Sequence, residues 1–292
     1  MGRLHRNPHM KRTRTHWKCR GKSVALGEQT LVMGILNTTP DSFSDGGKHH
    51  QHTAAFAHAE TLIQQGAHLI DVGGESTRPG AEPVSAHEEI KRTQPVIAHI
   101  RKTYPDQLIS IDTTKALVAE AALNAGADII NDISALQNDP DMAPLAALTQ
   151  AGVILMHKQG TPQTMQENPT YQNVVEDVIQ HLSDRLLAAT QIGITAEACI
   201  IDPGIGFGKT LEHNLELLRN LTRFTELAPV LVGLSRKRFI GTLTQKEDPT
   251  DRLAGSLAAA AYALSHGIHI LRVHDVIETC ELTQIFDTLT NT

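Results

Sequence analysis

Eight short apolar runs, each followed by a longer segment of helical periodicity, succeed one another along this chain without a break. The runs cover 31–36, 68–72, 108–111, 128–130, 153–156, 199–201, 230–234 and 268–273. They are rich in β-branched residues and leucine and bounded by Gly, Asn, Asp or Pro, which predicts strands. They are continuously apolar rather than alternating, as parallel strands covered on both faces should be. Helices are predicted over 53–65, 114–124, 144–150, 171–191, 211–221, 251–265 and 276–289. A further helix starts at Ser85, where Glu88 three residues on completes a capping-box pattern.

Four strand entries resemble one another: Gly66-Ala67-His68-Leu69-Ile70, Gly126-Ala127-Asp128-Ile129-Ile130, Gly152-Val153-Ile154-Leu155 and Gly267-Ile268-His269-Ile270-Leu271. In each, a glycine is expected to end the helix in a left-handed cap, with the strand following at once. Eight such units predict an α/β fold, a single-domain (β/α)8 TIM barrel, and 292 residues suit it. A doubly wound open sheet would favour a GxGxxG loop after the first strand, and there is none. No linker divides the chain. Residues 17–29, with Val24-Ala25-Leu26-Gly27, are expected to form a hairpin closing the barrel floor. The domain reading is therefore a disordered basic stretch over 1–15 and one barrel over 16–292.

Net charge is −6 and aromatics are 3%, which argues against a polyanion-binding surface. The local exception is the first 22 residues, with eight Lys or Arg and no acid. They are read as a frayed terminus rather than a nucleic-acid or targeting arm, and they contain no apolar signal core. The three cysteines, Cys19, Cys199 and Cys280, form no framework and have no zinc-type spacing. The longest apolar run, 257–264, is too short to span a bilayer. A soluble, cytoplasmic protein is expected, with no nucleic-acid or membrane partner.

Every predicted strand ends in a polar group. The endings are Asn37, Asp71 leading to Glu75-Ser76-Thr77-Arg78-Pro79, Asp112, Asn131-Asp132, His157, Asp202, Ser235-Arg236-Lys237, and Arg272 with His274. In a barrel these ends build the active site, because all βα loops open on one face. Taken singly, each has a bland reading. Asp112 could cap the next helix, Asp132 could cap its loop, and His157 could be a packed histidine.

Together they sort into two sets. Asp112, Asn131 and Asp202 are acceptor-rich and suit a flat heterocycle with several N–H donors, with Lys237 as the alternative counter-ion. Arg236, Lys237, Arg272 and His274, joined by Asn37 and Thr77, suit a phosphate or diphosphate on the rim.

The stretch Asp202-Pro203-Gly204-Ile205-Gly206-Phe207-Gly208-Lys209-Thr210 lacks Walker A spacing, since Pro203 stands where the first glycine is required. Its glycines are expected to let the backbone approach a ligand, and Phe207 either stacks on that ligand or fills the loop. Two polar loops, 37–52 and 73–82, are candidate lids. His49, His50 and His52 sit beside the first without metal-site spacing.

These motifs resemble the bacterial dihydropteroate synthases. The resemblance is carried in order by Asn37-Thr38-Thr39-Pro40-Asp41-Ser42-Phe43-Ser44-Asp45-Gly46-Gly47, Glu75-Ser76-Thr77-Arg78-Pro79-Gly80 and Asp112-Thr113-Thr114-Lys115. It continues through Asn131-Asp132-Ile133, Met156-His157 with Met165-Gln166, the 202–209 stretch, Ser235-Arg236-Lys237 and Arg272-Val273-His274-Asp275. It implies a homodimeric barrel that joins 6-hydroxymethyl-7,8-dihydropterin diphosphate to p-aminobenzoate, releasing diphosphate and 7,8-dihydropteroate.

By position, the resemblance implies that Asp112, Asn131, Asp202 and Lys237 hold the pterin, with Met156 and Phe207 near its ring. It implies Mg2+ on Asn37, and diphosphate on Asn37, Thr77, Arg272 and His274. Phe43, Thr77, Arg78 and Pro79 would lie in the two loops and, with Ser235 and Lys237, shape the p-aminobenzoate pocket where sulfonamides compete. Asp202, Lys237, Arg272 and His274 would carry the chemistry. Two other readings compete, a pterin-binding methyltransferase-like barrel and a non-catalytic pterin-binding protein. The first has no use for a diphosphate pocket, and the second would be favoured if Lys237 or the loop residues were missing, and they are present.

Overall fold

The computed structural model describes residues 12–39, 48–76, 80–161, 163–165 and 167–290. An antiparallel hairpin, β1 (Thr15–Cys19) and β2 (Lys22–Leu26), precedes eight parallel strands. These are β3 (Leu31–Asn37), β4 (Leu69–Gly73), β5 (Leu108–Asp112), β6 (Ile129–Asp132), β7 (Gly152–Met156), β8 (Cys199–Asp202), β9 (Leu231–Gly233) and β10 (Ile270–Val273). Each strand from β3 to β8 pairs with the next in sequence, β10 lies between β3 and β9, and an Ile201–Val230 bridge closes β8 onto β9. The result is the expected (β/α)8 barrel. All eight runs are strands, with ends displaced by at most two residues.

Helices α1 (Lys48–Gln64), α2 (Ala86–Thr103), α3 (Ala116–Ala125), α4 (Met142–Thr149) and α5 (Val174–Ile192) follow the first five barrel strands. Helices α6 (Leu211–Arg219), α7 (Leu221–Thr225), α8 (Arg238–Thr244), α9 (Leu253–Ser265) and α10 (Val276–Thr290) complete the ring. Among the described residues no helix is long and apolar enough to cross a membrane.

Local chemistry departs from expectation in four places. The Ser85 hydroxyl does accept from the Glu88 N–H, at 3.3 Å, but the Glu88 carboxylate turns to Arg92 Nε at 3.0 Å, so the reciprocal half of the box is missing. The complete capping box is Thr210 with His213. The predicted 211–221 helix breaks at Asn220 into α6 and α7, and α8, short and rich in β-branched and aromatic residues, was not foreseen.

Gly152 is the fourth departure. Gly66, Gly126 and Gly267 have the expected left-handed φ of +99°, +118° and +86°, whereas the cap after α4 is Gln150 at φ +53°. Gly152 serves space instead. A Cβ there would lie 2.6 Å from Cys19 Sγ and 3.2 Å from Trp17 Cε2.

That contact belongs to the barrel floor, where the expected hairpin is found. Arg20 and Gly21, at φ +48° and +80°, supply the two left-handed residues that a tight hairpin turn needs. Trp17, Cys19 and Leu26 pack on Leu31, Met33, Leu69, Ile129, Ile154, Ile200, Leu231 and Ile270, the inward-facing residues of the strands. Trp17 satisfies its indole N–H by donating to the Ala198 carbonyl at 2.9 Å. A second, larger cluster lies between the strands' outer face and the helices.

The basic stretch expected to be disordered falls mostly outside the described residues. Of its described part, Arg12 pairs with Asp287 of α10, and Asp287 also accepts from the Thr30 N–H at 2.6 Å.

Candidate functional site

The strand register brings the polar endings to one level. Asn37 pairs in register with Gly73, Gly73 with Asp112, Asp112 with Asn131, and Met156 with Asp202. Six of the residues singled out from sequence, Asn37, Asp112, Asn131, Met156, Asp202 and Arg272, therefore stand together at the C-terminal ends of the barrel strands. Ser235 and Lys237 follow β9, and His274 follows β10. Phe43, Thr77, Arg78 and Pro79 lie outside the described residues, as do His49 and His50 in side-chain terms.

The acceptor set is tied together by charge. Arg272 Nε bonds Asp71 at 2.6 Å, and its terminal nitrogen bonds Asp112 at 2.7 Å. Asn131 Nδ2 donates to Asp71 at 3.0 Å. The cap reading of Asp112 thus fails, since the cap position of α3 is Lys115, without a side-chain cap bond.

Two carboxylates share one guanidinium, and both stand in a desolvated place. Burial, reinforced by the repulsion of Asp71, pushes the Asp112 carboxyl up to about 7 against the attraction of Arg272. The sequence marks Asp71 as a polar strand ending but gives it to neither ligand set. A carboxylate inside an otherwise apolar run, Leu69-Ile70-Asp71-Val72, was the available signal. Its Oδ1 is buried without a hydrogen-bond partner among the described residues.

Asp202 accepts from the Gly204 N–H at 2.7 Å. Burial raises its pKa, while Lys237, that N–H, Lys209 and Arg272 each pull the other way. Lys237 lies 4.8 Å from the centroid of the Phe207 ring and donates to the Ile205 carbonyl. Burial draws the Lys237 pKa down to about 8, against the pull of Asp202.

The glycines of this loop make close approaches, as anticipated, but the near neighbours are protein. At Gly204 a Cβ would lie 1.8 Å from the His157 carbonyl oxygen, and at Gly208 one would lie 2.4 Å from that of Gln159. Both have positive φ, +67° and +63°. The loop is thus pressed onto the end of β7.

Other residues take the bland reading. Asp132 caps its loop, accepting from the Ser134 N–H and hydroxyl at 2.7 Å and the Leu136 N–H at 3.1 Å. His157 is packed and held neutral, its pKa driven down to about 2 by burial and by Lys209. Arg236 forks onto Asp275 at 3.1 and 2.5 Å, so its guanidinium is engaged at the start of α10. Ser235 Oγ stands 3.1 Å from His274 Nδ1. Beside the second loop, Lys115 joins Glu75 and Glu89, and Glu75 accepts from the Val84 N–H at 3.0 Å across the loop's base.

This arrangement is an acceptor floor and a cationic rim at one end of a barrel whose other end is plugged. The chain matches the family model "Pterin binding enzyme" over residues 33–274. It is 48% identical over 264 residues to a dihydropteroate synthase of Synechocystis, covering 90% of this chain and 91% of that one. Among solved structures it resembles the Xanthomonas albilineans dihydropteroate synthase with 4-aminobenzoic acid, with a TM-score of 0.89 and 43% identity over 96% of this chain and all of that one. It also resembles the Yersinia pestis dihydropteroate synthase in a sulfonamide complex, with a TM-score of 0.88 and 42% identity over 95% of this chain and all of that one. The chain belongs to the pterin-binding enzymes, among the dihydropteroate synthases, and is a transferase of folate biosynthesis.

Proposed function

We propose a division of labour at the strand ends in which the acceptor set reads the pterin and the cationic rim takes the diphosphate. The observation that carries it is the convergence of Asp112, Asn131 and Asp202 with Arg272 and Lys237 at one end of the barrel. In the reaction, the bond between the pterin's methylene carbon and the diphosphate oxygen breaks, and diphosphate leaves with the electron pair. The amine nitrogen of p-aminobenzoate attacks that carbon, and the new C–N bond forms with loss of one proton. Met156 and Phe207 bound the ring.

Asp202, aimed at the ring's N–H edge, stabilises the positive charge that spreads into the pterin as diphosphate departs. Arg272 and His274 neutralise the growing charge on the leaving group, and Ser235 orients His274. Lys237 completes the ring contacts. An aryl amine is neutral near pH 7 and needs no base to attack. We place p-aminobenzoate, and sulfonamides in competition with it, between Ser235, Lys237 and the loops bearing Phe43, Thr77, Arg78 and Pro79.

The residues present fit Mg2+. Among the described residues no cluster of His, Cys, Asp or Glu could hold a metal alone. A hard cation that keeps waters and shares substrate phosphates needs few protein oxygens. Asn37 offers one. Gly73 leaves the space beside it open, since a Cβ there would stand 3.7 Å from Asn37 Oδ1 and 3.9 Å from Asp112 Oδ2. When bound, the ion would supply Lewis-acid stabilisation of the leaving diphosphate.

We also propose a homodimer. Tyr262, Ile277, Ile285 and Leu289 expose apolar side chains on α9 and α10, at 44%, 46%, 64% and 74%. A cytoplasmic location is supported by the three free cysteines. The deciding experiment measures diphosphate release and dihydropteroate formation together, with and without p-aminobenzoate. Equal amounts of both products support the assignment. Pterin binding without turnover, under conditions where a control synthase works, would refute it. Light scattering tests the dimer.

A further inference from the structure

Lys209 closes the glycine-rich loop and is only 3% exposed. Its ammonium donates to the Phe207 carbonyl at 3.0 Å, lies 2.9 Å from His157 Nδ1 and reaches the His157 carbonyl at 3.5 Å. These hydrogen-bond partners are neutral. An ammonium buried among neutral acceptors is expensive to keep, and burial draws its pKa down to about 7, with Asp202 opposing and Lys237 assisting.

What Lys209 touches explains the expense. Phe207, whose carbonyl it holds, carries the ring that faces Lys237. His157, whose ring and carbonyl it holds, donates its N–H to the Asp202 carbonyl at 3.0 Å. Between them lies Gly204, where a Cβ would stand 3.4 Å from Lys209 Nζ. The Gly204 N–H is the donor to the Asp202 carboxylate. The charges around Asp202 are Lys237, Lys209 and Arg272. Those around Lys209 are Asp202 and Lys237, with neutral His157 in contact and His181 edge-on to His157 at 4.9 Å.

We propose that Lys209 is a positioning residue for the pterin step. It fixes the Asp202 carboxylate and the Phe207 ring through one buried cation, and it helps to keep Asp202 ionised. This rests on the reading that Asp202 bonds the pterin ring. Without Lys209, burial carries the Asp202 carboxyl further up, so pterin affinity fails at a higher pH than in the parent. Asp112 lacks such a link, because its charge partners are Arg272, Asp71, Glu89 and Asp132.

The test titrates 6-hydroxymethylpterin into the full-length protein by fluorescence from acid to neutral pH, for the parent, Lys209→Met, Lys209→Arg, His157→Phe and Asp202→Asn. Lys209→Met is expected to bind roughly tenfold more weakly at neutral pH, the equivalent of about 1.4 kcal/mol. The acid side of its profile should move upward, while KM for p-aminobenzoate at saturating pterin diphosphate stays put. Lys209→Arg keeps the charge and should leave the acid side in place.

A lower melting temperature with an unmoved profile would reduce Lys209 to a structural group and overturn the proposal. If Lys209→Met does not fold, His157→Phe decides, since it removes the Nδ1 acceptor but keeps a ring. Weaker pterin binding there supports the proposal, and an unchanged Kd sinks it. Asp202→Asn separates the two layers of inference. Full pterin affinity in that variant refutes the site reading itself, whereas loss there combined with an unaltered Lys209→Met refutes only the role of Lys209.

Discussion

Arg272 Nε stands 2.6 Å from Oδ2 of Asp71, a carboxylate with no exposed surface. The pair joins the first and last thirds of the chain over β3, the strand that lies between β4 and β10. Because the guanidinium also serves Asp112, removing it strands two acids in a desolvated place. Arg272→Met should cost about 3–5 kcal/mol of stability. Adding Asp71→Asn to it should recover a large part of that loss, because the stranded charge is gone. Urea unfolding midpoints of the two single variants and the double variant read this directly, and a simple sum of the two single effects would contradict it.

Asp202→Asn keeps the shape of the side chain but replaces a charged acceptor with a neutral amide. The transition state is expected to suffer more than the ground state. The expected outcome is a fall in kcat of roughly 100- to 1,000-fold with weaker pterin binding. Steady-state kinetics with both substrates varied will show it. A near-normal kcat would remove Asp202 from its assigned place.

Two glycines of similar φ should behave differently. Gly80, at +80°, has no heavy atom of the described residues within 4 Å of its missing Cβ, so Gly80→Ala is expected to carry only the left-handed backbone penalty, about 1 kcal/mol. Gly204, at +67°, would drive a Cβ to 1.8 Å from a backbone oxygen. Gly204→Ala should cost upward of about 3 kcal/mol and abolish pterin binding, because the loop must lift off β7. Thermal melts and pterin titrations of the two variants together provide the comparison.

Below pH 6.5 His157 should work against the fold, while Asp112, its carboxyl raised to about 7, works the other way as it takes up its proton. His157 has its pKa depressed from 6.5 to about 2, so between those values the unfolded chain binds a proton that the folded chain refuses. The contribution of His157 to stability therefore falls as pH falls through that window, by about 1.4 kcal/mol per unit. His157→Gln should make the slope of unfolding free energy against pH below 6.5 less positive than in the parent. An equal slope in parent and variant would mean that the imidazole is not held neutral.

The hairpin floor should be separable from catalysis. Trp17 is 1% exposed and fills the end of the barrel away from the site. Trp17→Ala is expected to cost about 3–5 kcal/mol. KM for either substrate should be unchanged in the folded fraction, measured well below the variant's melting temperature.

The barrel was legible because its signal is redundant. Eight apolar runs with eight polar endings leave few alternatives, and each strand's register then follows from its neighbours. Asp112 and Arg272 could be singled out from position alone, but their pairing could not, since 160 residues separate them. Asp71 is legible as a polar ending of its run, but its place in the charge cluster is not, since it sits mid-strand in β4 and its partners Asn131 and Arg272 lie 60 and 201 residues away.

Lys209 was hidden by resemblance to a phosphate loop. Once that motif was rejected, nothing local said that the lysine turns inward. Gly152 misled in the opposite direction. A glycine before a strand reads as a helix cap, whereas here it yields space to a cysteine 133 residues away, a contact only the closed barrel creates.

The plugged floor has a consequence for traffic. With Trp17 and Leu26 sealing one end, everything that enters or leaves does so through the same doorway. On the proposed placement, the ligand that reaches the acceptors at the strand ends would have to arrive before whatever settles above it. A product that spanned both positions would have to be drawn out whole through the same mouth. Crowding at that single entrance turns the order of arrival and departure into a property of the barrel's architecture.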